Sequence, residues 1–248
     1  MLLTSVASSR RNIVISQPMY FPWVGMLEQI QLADIFVFYN DVQFSRSFFH
    51  RVQIKTAHGT PWMTVPLREY HRGQLISEVA VDDRQDWRQK HRAMLESAYR
   101  KAPYCDEMLS LVDRVFTMRL STIAEVARAS TMELANYFGL VPDRQFVDSE
   151  SLHVEGHSSQ RLCEIAKALR GNVYVTGHGA RNYLDHALFE RDGIAVEYMR
   201  YECRPYPQLH GAFTPYVTAL DLVANCGPEG ARCITSGTQP AREFVEIE

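Results

Sequence analysis

The sequence predicts an α/β protein built on a parallel sheet, with a helical insertion and a β-hairpin. Three observations carry this. Residues Asn12–Tyr39 read as strand, loop, helix and strand in close succession, and a strand–helix–strand unit implies a parallel pair joined by a crossover. The same order returns in the second half, from Asn172 to Tyr201. Between the two, residues 83–140 read as a helical hairpin. The expected organisation is one domain over residues 1–248, with α/β halves at 12–82 and 145–248 around that helical segment.

Each element has its own warrant. Asn12–Ser16 (NIVIS) is a short apolar run; Pro18, Pro22 and Gly25 then punctuate a loop. Met26, Leu27, Ile30 and Ala33 have helical spacing, and Ile35–Tyr39 is β-branched and aromatic. Two β-like runs flank His58-Gly59 and predict a hairpin. Ile76–Val81 is expected as a further strand. Helices are expected over Asp86–Lys101 and Glu107–Tyr137, the second broken near Leu120 with Ser121 as a cap, and Gly139 and Pro142 end it. Gln145–Val147 predicts a strand, Ser158–Leu169 an amphipathic helix opened by a Ser-Ser cap, and Asn172–Val175 a strand. Ala180–Glu190 predicts a helix, Ile194–Tyr201 a strand, Pro205–Pro215 a loop and Tyr216–Ala224 a last helix.

Composition narrows the class. The 248 residues are 46% hydrophobic and 22% charged, ordinary for a globular protein. A net charge of −3 gives no global reason to expect nucleic acid. No apolar run is long enough to span a bilayer, and the polar lead-in MLLTSVASSRRN lacks a secretory core. Five scattered cysteines without a CxxC suggest reduced thiols. A cytoplasmic protein with no membrane partner is therefore expected.

The ends of the first two strands carry the unusual chemistry. Gln17, Tyr20 and Trp23, with Gly25, form an aromatic and amide-bearing loop suited to a sugar ring or a base, or else a plug over the strand ends. Arg46, Arg51 and Lys55 form a basic group that suits a diphosphate. It equally suits a solvated basic strand edge. Even spacing would point Arg51 and Lys55 the same way on a strand. His50 and Asp41 are the acid–base candidates, because histidine titrates in the useful range and a carboxylate orients it. His178 sits between glycines at another strand end, in a loop whose N–H groups suit an anion. His153 and His157 have the spacing of a helical chelate, but Gly156 intervenes and no third ligand has matching spacing, so no metal is expected. With no P-loop, GxGxxG or GxSxG, no cofactor is predicted.

The strings QPMYFPWVGMLEQIQLADIFVF and NDVQFSRSFFHRVQIK, followed by WMTVP at Trp62–Pro66, resemble the WbqC-like family. So do Tyr174–Tyr183 with its Gly-x-x-Ala-x-x-Tyr-Leu pattern, Gln208 and DLVAN at Asp221–Asn225. The resemblance runs through almost the whole chain. It implies surface-polysaccharide (O-antigen-type) or related sugar biosynthesis and an acyl or aminoacyl (glycine) transferase acting on an amino sugar. The amino sugar would be nucleotide-linked, with an aminoacyl-tRNA as one donor class, and Tyr183 and Gln208 would join the site. Asn40, His50 and His178 depart from the family pattern. A more distant similarity, to nucleotidyltransferases of the HIGH type, implies a Rossmann-like (HUP-like) core; Trp23-Val24-Gly25-Met26 stands where those enzymes carry their histidines, so their charge-stabilising chemistry is not expected. The alternatives are a nucleotide-dependent ligase or nucleotidyltransferase on the same fold, or a non-catalytic protein that binds a sugar nucleotide.

Overall fold

A computed structural model describes residues 9–245; the expected frayed lead-in falls largely outside them. Eight strands and eight α-helices follow in order: β1 (Asn12–Ser16), α1 (Val24–Leu32), β2 (Ile35–Phe38), β3 (Arg51–Gln53), β4 (Trp62–Thr64), α2 (Trp87–Tyr99), α3 (Cys105–Thr117), α4 (Ile123–Tyr137), β5 (Gln145–Asp148), α5 (Ser158–Ala168), β6 (Val173–Thr176), α6 (His186–Arg191), β7 (Ala195–Arg200), α7 (Ala219–Cys226), β8 (Gly237–Pro240) and α8 (Ala241–Val245).

Six strands form one sheet in the order β5-β2-β1-β6-β7-β8, parallel except for β8. Strands β3 and β4 make a separate antiparallel hairpin closed by a turn at Thr56–Gly59. Alternate strand residues feed two cores, as the pleat requires. Val14, Phe36, Phe38 and Val175 pack with α1, α2, α3, α4 and α7 on one face. Ile13, Ile15, Val37, Tyr174 and Val196 pack with α5 and Phe189 of α6 on the other. The strands therefore read as continuous apolar runs because both faces are covered.

Five expectations needed correction. Ile76–Val81 is not a strand: Ile76–Glu78 makes a 3-10 turn, and Ala80 and Val81 form only single bridges, to Thr122 and Leu67. The cap of α4 is Thr122, which exchanges hydrogen bonds reciprocally with Glu125, while Ser121 adds its own to the same carboxylate. The Ser158-Ser159 pair does not cap α5. Instead Ser159 Oγ donates to the Tyr183 carbonyl and accepts from Asp185 N–H. That grip divides the expected helix at 180–190 into a 3-10 turn, His178–Asn182, and α6, newly capped by Asp185. The last helix begins at Ala219 because Tyr216 adopts φ +65° and Thr218 supplies the cap.

Candidate functional site

Strand order reverses between β1 and β6: from β1 the chain builds outward through β2 to β5, from β6 outward through β7. Loops leaving the carboxyl ends on either side of such a reversal diverge and leave a crevice. A cavity of about 590 Å³ lies there, lined by Ser16, Gln17, Gln29, Tyr39, Thr176 and Tyr183 among others. A neighbouring cavity of about 390 Å³ shares Ser16, Gln29 and Phe48 with it and continues to Trp23, Arg51, Gln53, Trp62 and Tyr216. The two are lobes of one groove.

The groove is walled by aromatic surface that the fold leaves uncovered. Phe48, Trp62, Tyr183 and Tyr216 are 46–59% exposed, and all four line it. Arg51 lies over the Trp62 ring at 4.5 Å, and its buried Nε has no hydrogen-bond partner. The side-chain amides of Gln17 and Gln29 likewise have no protein partner among the described residues. A cation, two amides and four aromatic faces are thus available to a ligand.

The loop between β1 and α1 is held rigidly beneath this surface. Phe21 has φ +37°, a conformation costly for a bulky residue. Ser130 Oγ accepts its N–H at 2.9 Å and Thr218 Oγ1 donates to its carbonyl at 2.7 Å, which holds it there. Thr131 Oγ1 donates to Met19 O, and Tyr20 N–H to Phe49 O. The indole of Trp23 folds across Gly25, where an added Cβ would come within 2.3 Å of the ring. Trp23 then meets Tyr201 edge-on at 4.7 Å and Tyr216 at 5.2 Å.

The expected site residues separate into two groups. Gln17, Trp23, Arg51 and Tyr183 line the groove, with Gly25 beneath Trp23. Tyr20 is fully buried, its hydroxyl 2.9 Å from His91 Nδ1. Arg46 donates to the Tyr70 hydroxyl at 2.5 Å. Lys55 is buried and donates to Gln208 Oε1 and to the carbonyls of Gly211 and Ala212, so Lys55 and Gln208 brace a loop together. The three cations therefore do not converge. His178 is 2.8 Å from Met199 O through Nε2, while its neighbours Gly177 and Gly179 line the groove.

His50 and Asp41 do not form the expected pair. The Nδ1 of His50 is buried without a hydrogen-bond partner, and the ring packs against Phe44. Burial, then the charges of Arg51 and Arg46, hold its pKa below the usual histidine value. Asp41 faces Arg161 and Ser149 Oγ, and Arg161 also donates to the Asp41 carbonyl at 3.2 Å and the Val154 carbonyl at 2.9 Å. The guanidinium lies 5.1 Å from the Tyr39 ring. This largely hidden ion pair ties the loop after β2 to α5, and Ser149 ties it to the end of β5. Among the described residues no three His, Cys, Asp or Glu side chains cluster as a metal site, and the stretch from His153 to His157 is not helical. All five cysteines are free thiols. No helix among the described residues is long and apolar enough to cross a membrane.

Comparison with known proteins agrees with the resemblance read from the sequence. A model of the WbqC-like protein family matches residues 17–233. The chain belongs to the WbqC-like family. It is 30% identical over 223 residues, 88% of this chain and 95% of the relative, to Rv1507c of Mycobacterium tuberculosis, described as an uncharacterized protein. No solved structure gives a significant match. In this WbqC-like chain Gln29, Phe48 and Trp62 fall inside the strings that carry the resemblance but are not assigned to the site by it, and the groove residue Tyr216 lies outside them. Gln29 follows Gly25 by one helical turn, and Trp62 pairs with Gln53 across the hairpin. Arg161, which locks Asp41, lies 120 positions away and gives no local signal.

Proposed function

We propose that the groove over β1 and β6 binds an amino sugar, carried on a nucleotide, and that the protein transfers an acyl or aminoacyl group such as glycyl to its amine. The observation that supports this most is the concentration of exposed aromatic faces around one unpaired arginine and two unpaired amides. Sugar rings present C–H faces that lie on aromatic rings, and their hydroxyls pair with amides. Arg51, already desolvated at Nε, suits a phosphate oxygen. In the transfer, the amine lone pair attacks the donor carbonyl carbon, the donor's thiol or hydroxyl departs, and the nitrogen gives up a proton. His50, two residues from Phe48 and behind the groove wall rather than lining it, has its pKa lowered by burial and is the candidate to accept that proton through an intervening water. Asp41 serves this reading only by fixing the loop that follows β2.

Isothermal titration with UDP- and dTDP-amino sugars tests the reading. Binding that weakens about tenfold in Arg51→Ala and in Trp62→Ala is expected from the loss of one charged contact or one aromatic face. Binding unchanged in both removes the groove as the site. Incubation with a glycyl donor then separates transfer from binding alone: His50→Ala is expected to retain affinity and lose turnover. Binding without turnover by the native protein would favour a non-catalytic sugar-nucleotide carrier, and a response only to ATP with magnesium a ligase.

A further inference from the structure

A second cavity, of about 970 Å³, lies on the other side of the β3–β4 hairpin from the groove. The hairpin divides the two: Gln53 and Trp62 line the groove, while their neighbours Ile54 and Pro61 line this cavity. Its opposite wall is one face of α2, with Lys90, Ala93, Met94 and Ser97 following helical spacing and Lys101 just beyond the helix end. Small residues in the middle of that face make the hollow, and cations stand at both ends, roughly 15 Å apart along the axis.

Lys90, Arg100 and Lys101 are exposed and make no ion pair or side-chain hydrogen bond among the described residues. No acidic residue lines the cavity. The nearby Glu96 is turned to Arg92 instead. A helix end attracts cations by its own dipole, which accounts for Arg100 and Lys101 at the carboxyl end of α2. It does not account for Lys90, which lies in the first turn, where the dipole repels a cation. The remaining wall is firmly built. Leu209 and His210 are on the loop that buried Lys55 braces through the Gly211 and Ala212 carbonyls, and His210 Nε2 is 2.8 Å from Ala98 O. The floor, with Ile54, Met94, Ala98 and Leu209, is apolar.

We propose that this cavity is a second ligand site, which holds a nucleotide bearing two phosphates with its base on the apolar floor, its phosphates on Arg100 and Lys101, and Lys90 at the opposite end. The volume falls within the range of small-molecule sites, and an apolar floor with a few polar groups at its rim is their usual composition. Two sources share this chemistry: the adenosine bisphosphate head of an acyl-carrying thioester cofactor, and a nucleoside diphosphate. The site is independent of the transfer reading made for the groove.

Full-length protein titrated with adenosine 3′,5′-bisphosphate and with UDP tests the proposal. At least one is expected to bind, and the one that binds more tightly identifies the source. Arg100→Ala and Lys101→Ala should each weaken binding by about tenfold. Ser97→Trp, which fills the hollow at an exposed position without changing charge, should abolish binding, while Arg51→Ala in the groove should leave it unchanged. Circular dichroism confirms that each variant is folded. The proposal is overturned if neither nucleotide binds, if binding survives Ser97→Trp, or if it is lost only in Arg51→Ala, which would place the ligand in the groove. Preference for a short RNA oligonucleotide, with steep salt dependence, would overturn it in favour of a nucleic-acid surface.

Discussion

At the carboxyl edge of the sheet the polar side chains stand open to a ligand over β1 and β6 and are closed on one another over β2 and β5, where a cavity of about 520 Å³ lies beside Asn40 and Asp148. Both stretches end in conspicuous polar residues, Gln17 in one case and Asn40-Asp41 in the other. Over β2 and β5, Asp41, Arg161 and Ser149 satisfy one another, with Asn40 Oδ1 3.2 Å from the same serine hydroxyl. Over β1 and β6, two amides and the buried Nε of Arg51 are left without partners beside uncovered aromatic rings. A polar residue at a strand end is thus no sign of a binding role by itself. What distinguishes the two regions is whether the protein satisfies its own groups.

Breaking the closed side has the largest expected effect. Asp41→Ala leaves Arg161, nine-tenths hidden, without its carboxylate, and removing one member of such a buried pair costs about 3–5 kcal/mol. Urea unfolding measures this, and a loss below about 1 kcal/mol would mean that the pair is solvent-screened. The exposed Trp62 on the open side should be replaceable by Ala at a cost of under about 1 kcal/mol, because surface substitutions are usually mild.

Acid should next loosen the seat of the first loop. His91 is buried between the Tyr20 hydroxyl and the Thr64 carbonyl, and burial lowers its pKa from 6.5 to about 4. The unfolded chain therefore takes up this proton first as pH falls. The contribution is complete above pH 6.5 and is lost towards pH 4, amounting to about 3 kcal/mol. Proton NMR of the His91 ring follows the titration directly; a midpoint near 6.5 would contradict it.

Base should act through Glu28. It is fully buried on α1, neither carboxylate oxygen makes a hydrogen bond of good geometry although Ser236 lies nearby, and burial raises its pKa from 4.5 to about 8. The folded state keeps a proton that the unfolded state loses, so this contribution is complete below pH 4.5 and is lost as pH rises through 8. Glu28→Gln should raise stability by about 1–3 kcal/mol at pH 9 and much less at pH 5, read by thermal unfolding at both values.

Gly25→Ala sharpens the comparison without touching the closed side. The new methyl occupies the space of the Trp23 indole, so the ring must turn out against Tyr216. Changed tryptophan fluorescence and weaker binding in the groove are expected, with unfolding altered by no more than about 1–2 kcal/mol. Unchanged fluorescence would show that the helix shifts instead.

Local patterns carried most of the architecture. The apolar runs of β1, β2 and β6 and the spacing of α2 were legible because each is set by residues a few positions apart. The edge strand β8 was not: GTQP has little β propensity and a terminal proline, and its pairing with β7 comes from distant residues. The site divides in the same way. The loop after β1 was conspicuous for its aromatics and prolines, and Gln17 and Trp23 do reach the groove. Tyr20 looks alike in sequence but is buried with Phe21, the two rings edge to face at 4.9 Å, and its hydroxyl meets His91 in the core. Lys55 and Gln208, 153 positions apart, brace each other, and Arg161 answers Asp41 from α5; neither partnership leaves a mark in the local sequence.

The most direct test of the open edge is hydrogen–deuterium exchange of the native protein with and without a saturating UDP-amino sugar. Slower exchange confined to the backbone around Gln17, Phe48 and Gly177–Tyr183 is the expected result. Protection instead over Asn40–Asp41 and Ser149–His153, with the β1 and β6 ends unchanged, would place the ligand on the closed side and contradict the account.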